Sequence, residues 1–124
     1  MGLLSGLMGN ASEVDSNKLD ELIGDSLVDG ETVQKAYKVI RDMFIFTNKR
    51  LILIDKQGVT GSKIEMLSIP YGKITKFSKE SAGHFDLDAE LKIWIGSEAQ
   101  PLVKEFKAGD NINDVYRILS QFVL

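Results

Sequence analysis

Seven short runs rich in Val, Ile, Tyr, Phe and Thr, each closed off by turn residues, occupy positions 31–107 of this 124-residue chain and constrain its fold more than any other feature. Runs of this kind, punctuated by Gly, Pro, Asn and Ser, are the pattern of an antiparallel barrel or sandwich. They cover Thr32–Ile40, Met43–Thr47, Arg50–Asp55, Lys63–Ile69, Ile74–Lys79, Ala89–Ile95 and Leu102–Lys107. Turn chemistry fills the breaks: Asn48-Lys49, Gln57 to Gly61, Pro70-Tyr71-Gly72, Ala82-Gly83-His84, and Gly96-Ser97-Glu98 before Pro101. In Ala89–Ile95 the alternation is clean, with Ala89, Leu91, Ile93 and Ile95 on one face and Glu90, Lys92 and Trp94 on the other. That strand is half-buried.

At both ends the period changes to that of a helix. Ile112, Val115, Ile118, Leu119, Phe122 and Val123 form an apolar stripe at steps of three and four, preceded by Gly109-Asp110-Asn111 as break and N-cap. Leu19, Leu22, Ile23 and Leu27 do the same between residues 12 and 28, with Ser16 or Asn17 to cap a short helix. Leu3, Leu4, Leu7 and Met8 make an apolar cluster too short to be a stable helix alone. The expected architecture is mainly β: a seven-strand antiparallel sheet over 30–124 bent into a barrel with one end plugged by a C-terminal helix, preceded by a short helical segment within residues 1–29.

Composition narrows the function. The chain has no Cys, which removes thiolate catalysis, zinc–thiolate sites and disulfides. Its net charge of −3 is segregated. Residues 1–31 hold seven acids against one base, residues 32–79 ten bases against three acids, and residues 80–124 eight acids against four bases. The bases of the middle segment never form a run, so nucleic acid is not an expected partner. No apolar stretch reaches the ~20 residues that span a bilayer, and the start lacks the basic region of a signal peptide. A cytoplasmic location is the default expectation.

Residue patterns that support catalysis are weak. His84, the single His, stands near Asp86 and Asp88, and Asp86, Asp88 and Glu90 alternate as a cation site might want. A calcium loop requires Gly and Glu where this chain has Leu91 and Ser97. There is no G-x-S-x-G elbow, and the glycines of 58–61 lack the Lys-Ser/Thr ending of a phosphate loop. No catalytic residue, metal or cofactor is expected. A metal-dependent enzyme at His84, Asp86 and Asp88 is the most distant reading.

Four blocks in order carry a resemblance: Phe46-Thr47-Asn48-Lys49-Arg50-Leu51-Ile52-Leu53-Ile54-Asp55, Gly58-Val59-Thr60-Gly61-Ser62-Lys63, Ser68-Ile69-Pro70-Tyr71-Gly72-Lys73-Ile74, and Ala82 through Leu91. Over roughly three quarters of the chain it resembles the bacterial pleckstrin-homology family. The resemblance implies a partly open seven-strand barrel with one C-terminal helix, and self-assembly into rings. It supplies no reaction. The leading functional expectation is therefore a homo-oligomeric ring that recruits a protein partner, with Leu3, Leu4, Leu7, Met8 and Trp94 as candidate interface residues. The alternative is a peripheral domain for anionic lipid, with Lys49, Arg50, Lys73 and Lys76 holding the headgroup. Phosphoinositide-binding relatives of the fold carry their cations in the first hairpin turn, where this chain offers Arg41 followed at once by Asp42.

Overall fold

The computed structural model describes residues 16–39, 42–57, 63–81, 88–107 and 112–124. Helix α1 (Ser16–Ile23) is followed by strands β1 (Val33–Val39), β2 (Asp42–Thr47), β3 (Arg50–Gln57), β4 (Lys63–Pro70), β5 (Ile74–Ser81), β6 (Asp88–Ile95) and β7 (Leu102–Lys107), then by helix α2 (Ile112–Val123). All pairings are antiparallel, in two sheets of order β1-β2-β3-β4 and β5-β6-β7. All seven expected strands and the closing helix are present. β3 and β5 run two residues beyond their apolar stretches, because ladder hydrogen bonding continues through the polar hairpin ends Lys56-Gln57 and Glu80-Ser81.

The core lies between the sheets. Phe44, Phe46, Leu51 and Leu53 of the first sheet meet Leu91, Ile93 and Phe106 of the second. Alternation along β6 holds: Leu91 and Ile93 are buried, with Ala89 and Ile95 packed against the same core. Ile93→Ala should therefore lower stability by about 2–5 kcal/mol, the range for a large buried side chain cut to Ala. Lys92, whose Nζ reaches Glu80 at 3.2 Å on the outer face, should lose about 0.5 kcal/mol or less on change to Ala. Comparable small losses for both in thermal denaturation would overturn this register.

β2 and β3 are buried on both faces, since Met43–Phe46 and Leu51–Ile54 are unbroken apolar runs. Their outward side chains Met43, Ile45, Ile52 and Ile54 are covered by α1, which sets Leu19 and Ile23 among them, each 1% exposed. Eight residues of helix are marginal in water alone, so the sheet stabilises α1 as much as α1 shields the sheet. At the inner side α2 buries Val115 and Leu119. Its Phe122 ring stacks on Tyr71 at 4.7 Å and on Phe46 at 6.0 Å, which fixes the helix over the inter-sheet core.

Candidate functional site

The β2–β3 hairpin carries two of the four candidate anion-binding cations, and its geometry begins with Thr47. The Thr47 hydroxyl accepts the backbone N–H groups of Lys49 and Arg50, each at 3.0 Å, which sets the turn. The same hydroxyl donates to Glu31 Oε2 at 2.7 Å. Asn48 ties the turn to the strand entry by accepting from Thr32 N at 2.8 Å and donating to the Gly30 carbonyl at 2.9 Å. Gly30 has φ +81°, the left-handed conformation that turns Glu31 under the hairpin.

Glu31 and Arg50 then form a fork. Arg50 Nε donates to Glu31 Oε2 at 2.9 Å and Nη2 to Oε1 at 3.1 Å. The remaining guanidinium donors reach the Ser68 hydroxyl at 2.9 Å and the Ser26 carbonyl at 2.6 Å. Val28 N–H completes the carboxylate shell at 3.1 Å. Burial by itself would raise the Glu31 pKa, but the hydrogen bonds from Arg50, then Thr47 and Val28, outweigh it and hold the carboxyl down at about 2. Tyr71 belongs to the same cluster, donating to the Thr47 carbonyl at 2.7 Å, and burial, with the Glu31 charge, pushes its hydroxyl pKa up.

The structure does not gather the four cations into one site. Arg50 joins α1's exit, the hairpin and β4 through its own hydrogen bonds, while Lys49 stands exposed at the hairpin tip. Lys73 lines a cavity of about 350 Å³ whose apolar walls include Leu67, Ile69, Ile95, Pro101 and Leu102. Lys76 lies on the outer face of the second sheet, with its Nζ 4.7 Å from the centre of the Trp94 ring, its direct cross-strand partner. Asp42 pairs with Lys104 at 3.6 Å; Arg41 lies outside the described residues.

The outer face of the second sheet reads in rows across the strands. Lys76 stands opposite Trp94, Ser78 opposite Lys92 and Val103, and Glu80 opposite Glu90 and Glu105. Trp94 is half-buried and Val103 is 44% exposed. Asp88 begins β6 on this face and approaches Lys107 at 4.0 Å. His84 and Asp86, like Leu3, Leu4, Leu7 and Met8, lie outside the described residues. Among the described residues no group of three His, Asp or Glu side chains is arranged to hold a metal. No helix among them is long and apolar enough to cross a membrane.

Sequence reading missed Glu31 and Val103. Glu31 is the last acid of the acidic N-terminal quarter, and nothing local separates it from its solvated neighbours. Val103 was findable from the parity of Leu102, Lys104 and Phe106, which leaves it on the face opposite the core.

The family model for the bacterial PH domain matches residues 2–123. The uncharacterized protein YjqA of Bacillus subtilis (strain 168) is 50% identical over 121 residues, 97% of each chain. A crystal structure of a pleckstrin homology domain from Shewanella amazonensis SB2B has 53% identity and a TM-score of 0.84, covering 99% of both chains. A DUF1696 family protein with a pleckstrin-homology domain, from Shewanella loihica PV-4, has 52% identity and a TM-score of 0.77, over 94% of this chain and 99% of that one. With a family model running over nearly its whole length, and two crystal structures above half identity that match almost all of it in fold, this chain belongs to the bacterial pleckstrin-homology domain family.

Proposed function

We propose that the chain is a non-catalytic binding and assembly module whose copies associate into a homo-oligomeric ring, the assembled surface then recruiting a protein partner. The observation that carries this reading is the contrast between the two outer sheet faces. α1 covers Met43, Ile45, Ile52 and Ile54 on that of the first sheet and leaves Ile64 of β4 50% exposed at its margin, whereas that of the second sheet carries Val103, 44% exposed, and the half-buried Trp94 amid Lys76, Lys92 and the row Glu80, Glu90, Glu105. An aromatic flanked by an apolar side chain and ringed by charge of both signs is the composition of a protein-contact patch. The segregated charge favours contact between unlike regions of two copies, which closes into a ring when the rotation permits.

Anionic-lipid binding is less supported by the geometry. Arg50, the strongest of its cations for bidentate phosphate recognition, already spends its donors on Glu31, Ser68 and Ser26. A liposome assay therefore needs Lys49→Glu with Lys73→Glu, because changing Arg50 would unfasten the hairpin and confuse folding with binding.

Multi-angle light scattering of the full chain at micromolar concentration should give a mass several times 13.8 kDa. Trp94→Ser with Val103→Glu should lower that mass while the circular dichroism spectrum stays that of the wild type. Removal of residues 1–15, which takes away no residue named in the contacts above, tests the apolar cluster Leu3, Leu4, Leu7 and Met8 separately. A monomeric wild type at this concentration contradicts the assembly reading.

A further inference from the structure

At one place the inner faces of the two sheets meet through charge. Lys104 shares the inward parity of Leu102 and Phe106 on β7, and its side chain is only 11% exposed. Its Nζ lies 3.6 Å from Asp42 Oδ2 on β2 and 3.7 Å from Asp55 Oδ2 on β3. Asp42 and Asp55 are direct cross-strand partners on the same inward face, and both approach the one Lys104 ammonium. Like charges directly opposite on neighbouring strands repel, and a single ammonium leaves the fully ionised trio at net −1. Such a pair accommodates one proton readily, since two adjacent carboxylates out of bulk water resist ionising together.

We propose that Asp42, Asp55 and Lys104 form a proton-operated clasp between the two sheets: one proton taken up by the carboxyl pair turns a self-repelling trio into a neutral one that holds β7 more firmly to β2 and β3. The proton comes from solvent and sits on Asp42, which donates it to Asp55; the Asp55 charge remains on Lys104. Other charged groups are sparse around Asp42. Among the described residues, β1 offers the apolar Val39 opposite it, β3 offers Asp55 and β7 offers Lys104. Glu65 on β4 is the exposed cross-strand partner of Asp55 on its other side. Burial raises the Asp42 pKa, and Asp55 adds to the rise through charge and hydrogen bond, against the opposing pull of Lys104. A carboxyl whose folded pKa stands above its unfolded value contributes stability that grows as pH falls through the folded pKa. The clasp thus acts opposite in sign to Glu31.

Urea unfolding of the full chain, at fixed protein concentration and in steps downward from about pH 7 through the ordinary aspartate range, reads the clasp as the pH falls through the raised Asp42 pKa. The wild type should gain stability relative to Asp42→Asn as the pH is lowered, and Asp55→Asn should lose the same gain. In the wild type the side-chain carboxyl carbon of Asp42 should titrate by NMR above the ordinary aspartate range, and in Asp55→Asn it should move back toward that range. Amide protection of 102–107, corrected for intrinsic exchange rates, should rise over the same pH step. Lys104→Met should move proton uptake by the pair to higher pH. Parallel stability profiles for wild type and both Asn variants overturn the proposal. So does titration of Asp42 at the ordinary value, which wild-type NMR reads even if a variant fails to fold.

Discussion

Replacing Arg50 with Met should lower the unfolding free energy by about 3–5 kcal/mol at neutral pH, the range for removing one partner of a buried ion pair. The reason lies with Glu31, whose side chain is 0% exposed and which would be left ionised beneath the hairpin without its guanidinium. Arg50→Lys should recover only part of the loss, because an ammonium cannot reproduce the fork to both carboxylate oxygens and also reach Ser68 and Ser26. The effect has a defined pH signature. In the wild type the folded pKa of Glu31 is pulled from 4.5 to about 2, so its contribution is fully present above about pH 4.5 and is lost as pH falls toward 2. The stability gap between wild type and Arg50→Met should therefore be wide at about pH 7 and narrow by about pH 3. Urea denaturation at the two pH values measures it. A loss under about 1 kcal/mol at neutral pH, in the range of exposed pairs, would mean the fork is ornamental.

Phe46→Ala should lower stability by about 3–5 kcal/mol, the range for a buried aromatic truncated in a core. Phe46 is 0% exposed and its ring meets two other elements at once. Its ring meets the edge of Tyr37 on β1 at 6.3 Å and stacks on Phe122 of α2 at 6.0 Å. Phe122 in turn stacks on Tyr71, whose hydroxyl reaches back to the Thr47 carbonyl beside Phe46. Truncation leaves a cavity that none of these neighbours can fill without abandoning another contact, so collapse around it is opposed. Phe46→Leu should recover much of the loss because it restores most of the volume. Calorimetric melting of the three proteins checks the order wild type, Leu, Ala; an Ala variant melting with the wild type would mean that α2 does not rest on this ring.

The strand series, the inward face of β6 and the stripe of α2 were legible because each depends on local backbone geometry. A period of two or of three to four places side chains on a face whatever the rest of the chain does. The unbroken runs Met43–Phe46 and Leu51–Ile54 also held a signal of burial on both faces, but not the identity of the cover. That α1 supplies it became visible only once Leu19 and Ile23 were placed on Ile45 and Ile52.

Charge was legible only as amount. Lys49 and Arg50 are neighbours of equal sign in sequence, yet one is exposed and the other forks onto Glu31, nineteen residues back. Lys76 and Trp94 are joined by strand register, and so are Asp42 and Asp55; Lys104 reaches both acids from the other sheet. Strands, helices and their apolar faces were readable along the chain because they follow from short-range sterics and hydrophobic spacing. Which charges are tied, and which apolar side chains stay exposed, depends on contacts between distant segments. A salt bridge needs two side chains within about 4 Å, and positions that far apart in the chain are brought so close only by strand register and by the packing of one sheet on the other.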